Sequence, residues 1–443
     1  MLFAQGMSVM SHPKSPTIPV WTAILLSINI VIGSGFFASA QKISIDAGLL
    51  APLAWLLAGA LLFPIVAILA KLSQRYPEAG GLYVYSYETL GHSWGFITGW
   101  VYFIGTVIGN VIVMHAFSGK LQEIPAIAGF LQNIQLQGVG VDMALVSFFA
   151  LLNLRNIDFL KHVQILFTVL KCIPIVLALG ALPFLFKLEN LMQTSLNWHG
   201  LVIVLPLVLF SYIGIEACCA ITDKINGGGA KTSRVLFISF MLIMGIYTLL
   251  QCSLLCMHGT AAVDPFTSIL PLLTTNTQVI YWGNALIHGA LLSSFLGGFY
   301  SMFYINNWNL YAIAEKKGIL FSDTFLTTNK NQAPWVCILA QVALILTFQL
   351  MTTDITQLAN MDGIGSVSAY LLSACAFLAL YKKSTLGFLA IACCTVFIGI
   401  CTHNLLQPDT QIVPFLIILF LGIGMHILGS WYNKYRKKTR MEQ

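Results

Sequence analysis

Three ionisable side chains stand inside long apolar runs of this 443-residue chain: Lys171 in TVLKCIPIV, Glu216 in LVLFSYIGIEACCA and Asp362 in LANMDGIGSVSAYLL. Charge at membrane depth is costly unless it is paired or hydrated, so each marks a function by default. A fourth feature lies near the N-terminus, where NIVIGSGFFASA (Asn29 to Ala40) puts Gly-Ser-Gly into another apolar run. Gly33 and Gly35 favour local unwinding. The freed N–H groups of Gly33, Ser34, Gly35 and Phe36 would then begin a half-helix, whose partial positive charge binds carboxylates. The other reading of GxG is close packing of a neighbouring helix. A second interruption, Gly214, falls two residues before Glu216. One break offers amide donors and the other carbonyl acceptors. Together they suit a ligand with a carboxylate and an ammonium group close together, which describes an amino acid.

The elements that must position these groups are membrane spans. The chain is 58% hydrophobic and 9% charged, where a soluble protein carries roughly a quarter charged residues. Its mean hydropathy is +0.83. Apolar runs of about 20 residues recur along its whole length. The pattern predicts an all-α polytopic membrane protein with twelve spans, at 18–43, 49–73, 94–121, 139–155, 158–185, 200–222, 234–258, 280–312, 334–352, 356–381, 385–404 and 411–432. Loop charge agrees with this count. With the N-terminus in the cytoplasm, 18 of the 22 Lys and Arg fall on the cytoplasmic side and only Lys42, Lys120 and Lys187 on the other; Lys171 lies within span five. Both termini are then cytoplasmic. The tail KYRKKTR becomes an anchor to acidic membrane lipid rather than a nucleic-acid patch. The ten Cys show no zinc-like or secreted-framework spacing, and they read as small core residues. No signal-peptide pattern precedes span one.

Several motifs carry a resemblance to the amino acid–polyamine–organocation (APC) transporters. IGSGFF (Ile32–Phe37) resembles that superfamily's first-helix motif. RYPEAGGLYVYSYETLG (Arg75–Gly91), followed by Gly99 and Trp100, resembles its signature between spans two and three. LNLRNIDFLKHVQ (Leu152–Gln164) resembles the segment joining spans four and five, SYIGIEACC the sixth-helix break with its Glu, and LYAIAEKKGIL (Leu310–Leu320) the loop after span eight. The resemblance implies a LeuT-like five-plus-five inverted repeat followed by two C-terminal helices. The parts are a cytoplasmic tail 1–17, repeat one 18–185, repeat two 200–381, two added spans 385–432 and a basic cytoplasmic tail 433–443. It implies alternating access, in which spans one, two, six and seven move against a scaffold.

Within the family, several positions resemble the bacterial arginine–agmatine antiporters. Asn110 in VIGNVIV matches a site Asn of their third helix. Phe210 and Phe299 stand where those proteins have site tryptophans, which keeps an apolar wall but weakens a cation–π contact. Asn307 and Trp308 replace a usual Ser-Arg pair, and DKINGGGAKTSR lacks the usual Glu-Lys-Asn-Pro run. The implied substrate site comprises Ile32, Gly33, Ser34 and Gly35 from the first break; Phe210, Ser211, Ile213 and Gly214 from the second; and Asn110, Phe299 and Asp362. Lys171 resembles a lysine that some relatives place where sodium-coupled cousins hold a metal ion. It is either a proton-coupling group or a fixed cation holding carbonyls of spans one and eight. Glu216 either exchanges a proton and gates, or caps the freed amides of its own break. Asp362 either binds the distal cation of arginine, lysine or ornithine, or serves as a gate or interface residue. His115 and His288 read as helix-packing residues.

The expected function is secondary active transport of amino acids across a plasma membrane, the bacterial inner membrane, by proton coupling or exchange. The alternative is exchange of a cationic amino acid for its decarboxylation product. Expected partners are an amino acid, protons and lipid, with a homodimer compatible; no cofactor, metal, nucleic acid or covalently attached accessory subunit is expected. The sequence lacks the P-loop of a primary pump, a TVGYG-like channel filter, and the metal or nucleophile motifs of an enzyme.

Overall fold

The computed structural model describes residues 19–441 except 78–79, 135–137, 155–156, 221, 223–224, 262, 317, 408–409 and 411; side chains at 34, 157–166, 220 and 433–441 are also left undescribed. The expected tail 1–17 and the basic side chains of 433–443 thus lie outside the described residues.

The described chain is helical, with an isolated β-bridge between Gly48 and Leu196. The first apolar run forms α1 (Val20–Val31) and α2 (Ser34–Ala47), bent by 50° at the break between them. Then come α3 (Ala51–Arg75), α4 (Gly81–Leu90), α5 (His92–Gln122), α6 (Pro125–Asn133), α7 (Val139–Asn153), α8 (Ile157–Leu185) and α9 (Leu188–Met192). The run around Glu216 forms α10 (Trp198–Phe210) and α11 (Ala217–Ala220). The rest of the chain forms α12 (Gly228–His258), α13 (Ile269–Leu273), α14 (Thr277–Glu315), α15 (Ser322–Phe325), α16 (Trp335–Met351), α17 (Ile355–Leu380), α18 (Thr385–Leu405) and α19 (Ile412–Met441).

Eight of these helices are long and apolar enough to cross a membrane, and the bent pair α1–α2 makes a ninth. Three shorter apolar helices, α7, α10 and α16, coincide with the expected spans four, six and nine. The chain is thus a multi-pass membrane protein. Helix starts follow local chemistry. Asn197, Asn276, Asp354 and Ser384 each accept a backbone N–H of the turn they precede, which satisfies donors that have no intrahelical partner.

Burial grades from the middle outward. α5 is the most enclosed of the long helices, while α18 and α19 are largely open on their outer faces, where Phe388 and Leu389 of α18 and Phe420 and Leu421 of α19 are exposed. Exposed apolar side chains of this kind suit a lipid boundary. α17 runs along α5, and α12 along α3 and α1. The α5–α17 crossing is close because it is built on glycine. A Cβ on Gly365 would lie 2.8 Å from the Gly105 Cα, and one on Gly105 only 2.6 Å from Ser366 Oγ. Small residues let helix backbones meet where no aqueous hydrophobic drive acts between helices. This crossing sets Asp362 of α17 against Gly109 of α5.

Candidate functional site

The first break is an interrupted backbone with both ends accounted for. α1 closes with Ile32 N–H donating to Ile28 O at 2.8 Å, and α2 opens with Phe37 N–H donating to Gly33 O at 3.2 Å. The N–H groups of Gly33, Ser34, Gly35 and Phe36 therefore precede the ladder of α2 and stand at its positive end. The carbonyls freed at the end of α1 are taken up by Lys171 of α8. Its Nζ donates to Asn29 O at 2.7 Å and to Ile32 O at 3.1 Å. Lys171 is buried, and both carbonyls it holds belong to the first break.

The second break runs from Ser211 to Glu216, between α10 and α11. Gly214 has φ +104°, a left-handed conformation that side chains rarely adopt, so the turn requires glycine there. The freed Gly214 N–H donates to Glu216 Oε2 at 3.1 Å, and Tyr102 of α5 donates its hydroxyl to Oε1 at 2.6 Å. Glu216 thus caps its own break and is tied to α5.

The two breaks touch. A Cβ on Gly35 would meet Ser211 Cα at 2.6 Å, so the second reading of GxG, close approach, holds at Gly35. Tyr247 of α12 spans both breaks, with its hydroxyl 2.8 Å from Val31 O and 3.2 Å from Ser211 O. Its ring stacks on Phe36 at 5.0 Å.

A cavity of about 40 Å³ lies where the breaks face α5, α14 and α17. That is room for about three waters. Six of the residues expected at a site line it: Gly35, Asn110, Phe210, Ser211, Ile213 and Asp362. Thr106 and Met302 join them; neither stood out in sequence. Thr106 donates to Asn306 Oδ1 at 2.7 Å. Asn110 is fully buried, and neither its Oδ1 nor its Nδ2 has a hydrogen-bond partner among the described residues. Asn307, Gln341 and Gln349 are buried and unpartnered in the same way, but Asn110 is the one of these amides on the cavity wall, where a ligand could pair with it.

The other expected residues sit elsewhere. Ile32 gives its carbonyl to Lys171, and Gly33 faces Ser294 of α14. Gly214 is engaged with Glu216. The structure describes only the backbone of Ser34. Phe299 is fully buried, but it packs on Phe149 at 5.3 Å and Phe303 at 5.4 Å, away from the cavity. Gly298 and Met302, one helical turn apart, take the cavity face of α14 instead. His115 pairs with buried Asp142 of α7 at 2.5 Å, so it joins two helices as a packing residue would. No group of three or more His, Cys, Asp or Glu suited to a metal occurs among the described residues.

Two broken helices meeting around an orphan amide, inside a multi-pass helical bundle, recur in transporters. Comparison with known proteins agrees with that geometry. A family model described as amino acid permease matches residues 18–429. The chain belongs to the amino acid permease family. The permease is 25% identical over 371 residues to the serine/threonine exchanger SteT of Bacillus subtilis, covering 79% of this chain and 78% of that one. It is 28% identical over 393 residues to an arginine/agmatine antiporter of Chlamydia felis, covering 80% and 76%. Against the arginine/agmatine antiporter of Chlamydia pneumoniae the figures are 26% over 400 residues, covering 81% and 77%. The permease is thus a transporter of amino acids, and its matched relatives are transporters rather than enzymes.

Proposed function

We propose that this permease works by alternating access in the bacterial inner membrane, with both termini in the cytoplasm. In this reading α1–α2, α3, α10–α11 and α12 form the moving bundle of a LeuT-like five-plus-five repeat of twelve spans. The substrate α-carboxylate takes the N–H groups of Gly33 to Phe36. The α-ammonium takes carbonyls of the second break near Ser211 and Ile213. The side chain points between Phe210, Asn110 and Asp362.

The observation that carries this reading is Asn110, a buried amide with no partner, on a cavity wall shared by both breaks. An amide can both accept and donate, so it fits a zwitterionic head or a polar side chain. Lys171 is best read as the clamp of the first break and Glu216 as the cap and gate of the second, because each is spent on backbone groups. A proton role for either is the weaker reading.

Uptake of labelled amino acids into proteoliposomes tests the proposal. Gradient-driven uptake into empty vesicles would mean proton symport, and uptake only into amino-acid-loaded vesicles would mean exchange. Absence of saturable uptake in both would sink the proposal. A second reading, exchange of a cationic amino acid for its decarboxylation product, is favoured by Asp362 on the cavity wall and by the named activity of the chlamydial relatives.

A further inference from the structure

We propose that Asp362 is a shared seat for a proton and for the side-chain cation of the substrate, so that a lysine-, ornithine-, arginine- or agmatine-like cation enters only as a proton leaves. The inference rests on the amino acid site proposed above, and it moves proton exchange away from Lys171 and Glu216 to the substrate pocket itself.

Asp362 is fully buried in α17. Its Oδ1 accepts from Ser366 Oγ at 2.8 Å. Its Oδ2 has no hydrogen-bond partner among the described residues, and the side chain lines the cavity. Gly109 keeps the approach open: a Cβ there would lie 3.9 Å from Oδ2 and 3.4 Å from the Phe210 ring. The free oxygen therefore faces the same space as Asn110 and the aromatic wall.

Among the described residues, no positive charge pairs with it. The titratable groups whose fields reach Asp362 are Glu216 from the second break, the Tyr102 hydroxyl from α5, the Tyr370 hydroxyl from α17 itself and the Cys401 thiol from α18. All are acids. Lys71 of α3 sits over Phe377, 15 residues further along α17. Lys171 is committed to the first break. Glu216 differs from Asp362 in one respect that matters. Its charge has a backbone N–H and the Tyr102 hydroxyl as donors, one to each oxygen, whereas Asp362 has one serine. A buried carboxylate with one donor and no counter-charge is not sustained. Asp362 must therefore carry a positive partner at all times, either a proton on Oδ2 or an ammonium or guanidinium group of the substrate.

The exchange balances. On arrival of the substrate cation, the Asp362 O–H bond breaks and its electron pair stays on Oδ2. The proton leaves to water in whichever pathway is open, and the substrate cation takes its place. A neutral amino acid leaves that proton where it is. One pocket can thus accept neutral and cationic amino acids, but only the cations are exchanged against protons.

The test is proton release on binding. Purified protein in detergent and weak buffer with a pH dye is mixed with L-lysine, L-arginine, agmatine or L-serine, and binding of the labelled compounds is followed in parallel between pH 5 and 8. The expected result is close to one proton released per cation bound and none per serine. Cation affinity should weaken toward tenfold per pH unit on the acid side, with serine affinity flat. Asp362→Asn should abolish the release and the slope and weaken cation binding at least tenfold. Asp362→Glu should keep both, which covers the case in which the Asn variant does not fold. Cation binding without proton release, or release that survives in Asp362→Asn but vanishes in Glu216→Gln, overturns the assignment. Serine binding with no cation binding overturns it too and leaves the amino acid site standing. No binding of any of the four compounds removes both.

Discussion

Lys171 and Asn29, 142 residues apart, are joined by a 2.7 Å hydrogen bond from Nζ to a main-chain carbonyl at the first break. The bond, with its partner at Ile32, replaces the helix ladder that α1 gives up. It explains how the backbone can be interrupted inside an apolar bundle.

Removing it should be costly. Lys171→Ala leaves two buried carbonyls without their donor, at roughly 1–3 kcal/mol for each unsatisfied group. The expected result is a membrane-inserted protein with a lower melting temperature in detergent and no measurable amino acid binding. Binding at wild-type affinity with an unchanged melt would show that the clamp does not hold the site.

The Tyr102–Glu216 bond joins α5 to the second break at 2.6 Å. A hydrogen bond to a charged group contributes about 1.5–3 kcal/mol. Tyr102→Phe and Glu216→Gln should each lower thermal stability and slow transport. Because Tyr102→Phe deletes the donor and Glu216→Gln takes the charge from the acceptor of the same bond, the double variant should cost less than the sum of the singles. A strictly additive double-mutant cycle would mean that the two residues act separately.

Gly35→Ala tests the meeting of the two breaks. The added methyl would lie 2.6 Å from Ser211 Cα, and a backbone atom cannot be moved aside by changing rotamer. Contact under 3 Å forces the breaks apart, so substrate affinity should fall by roughly five- to 150-fold, the equivalent of a core overpacking cost of about 1–3 kcal/mol applied to the binding-competent state. Gly245→Ala in α12, where an added Cβ meets nothing within 4 Å, is the control for a helical glycine. Equal binding in both variants would remove the contact from the mechanism.

These groups differ in how visible they were. Gly33, Gly35, Gly214, Lys171, Glu216 and Asn110 interrupt apolar runs, and a polar or helix-breaking residue in lipid has few bland explanations. Asp362 was visible as a charge, but not in its facing, because facing depends on the Gly105–Gly365 crossing between distant segments. Tyr247 and Tyr102 were missed for a chemical reason. Each is an apolar ring with one hydroxyl at the tip, and in sequence it looks like any membrane aromatic. Phe299 shows the limit of matching by motif. A shift of one residue on a helix turns a side chain by about 100°, and the cavity face of α14 belongs to Gly298 and Met302. The short helices α4, α6, α9, α13 and α15 escaped because mixed segments of this length carry no clear period.

Asp264, in the loop after α12, gives a pH-dependent prediction. Its carboxylate pairs with Lys120 near the end of α5, and Lys120 also holds Glu123 at 2.8 Å. Asp264 also accepts from the Thr267 N–H at 2.8 Å and from its hydroxyl at 2.9 Å. Burial alone would raise the pKa of Asp264, but the Lys120 ammonium and the Thr267 donors outweigh it, and the carboxyl lies below the usual 3.8. A carboxyl depressed in the folded state adds stability above its unfolded value, and that stability is lost as the pH falls through the folded one. Asp264→Asn should therefore lower the melting temperature at pH 7, by the loss of about 1.5–3 kcal/mol from hydrogen bonds to a charged group. The gap to wild type should hold down to pH 3.8 and close below it, where the wild-type carboxyl takes up its proton. Thermal unfolding of both proteins across this range is the measurement. A gap of constant size from pH 7 to well below 3.8 would mean that the aspartate acts through its shape rather than its charge.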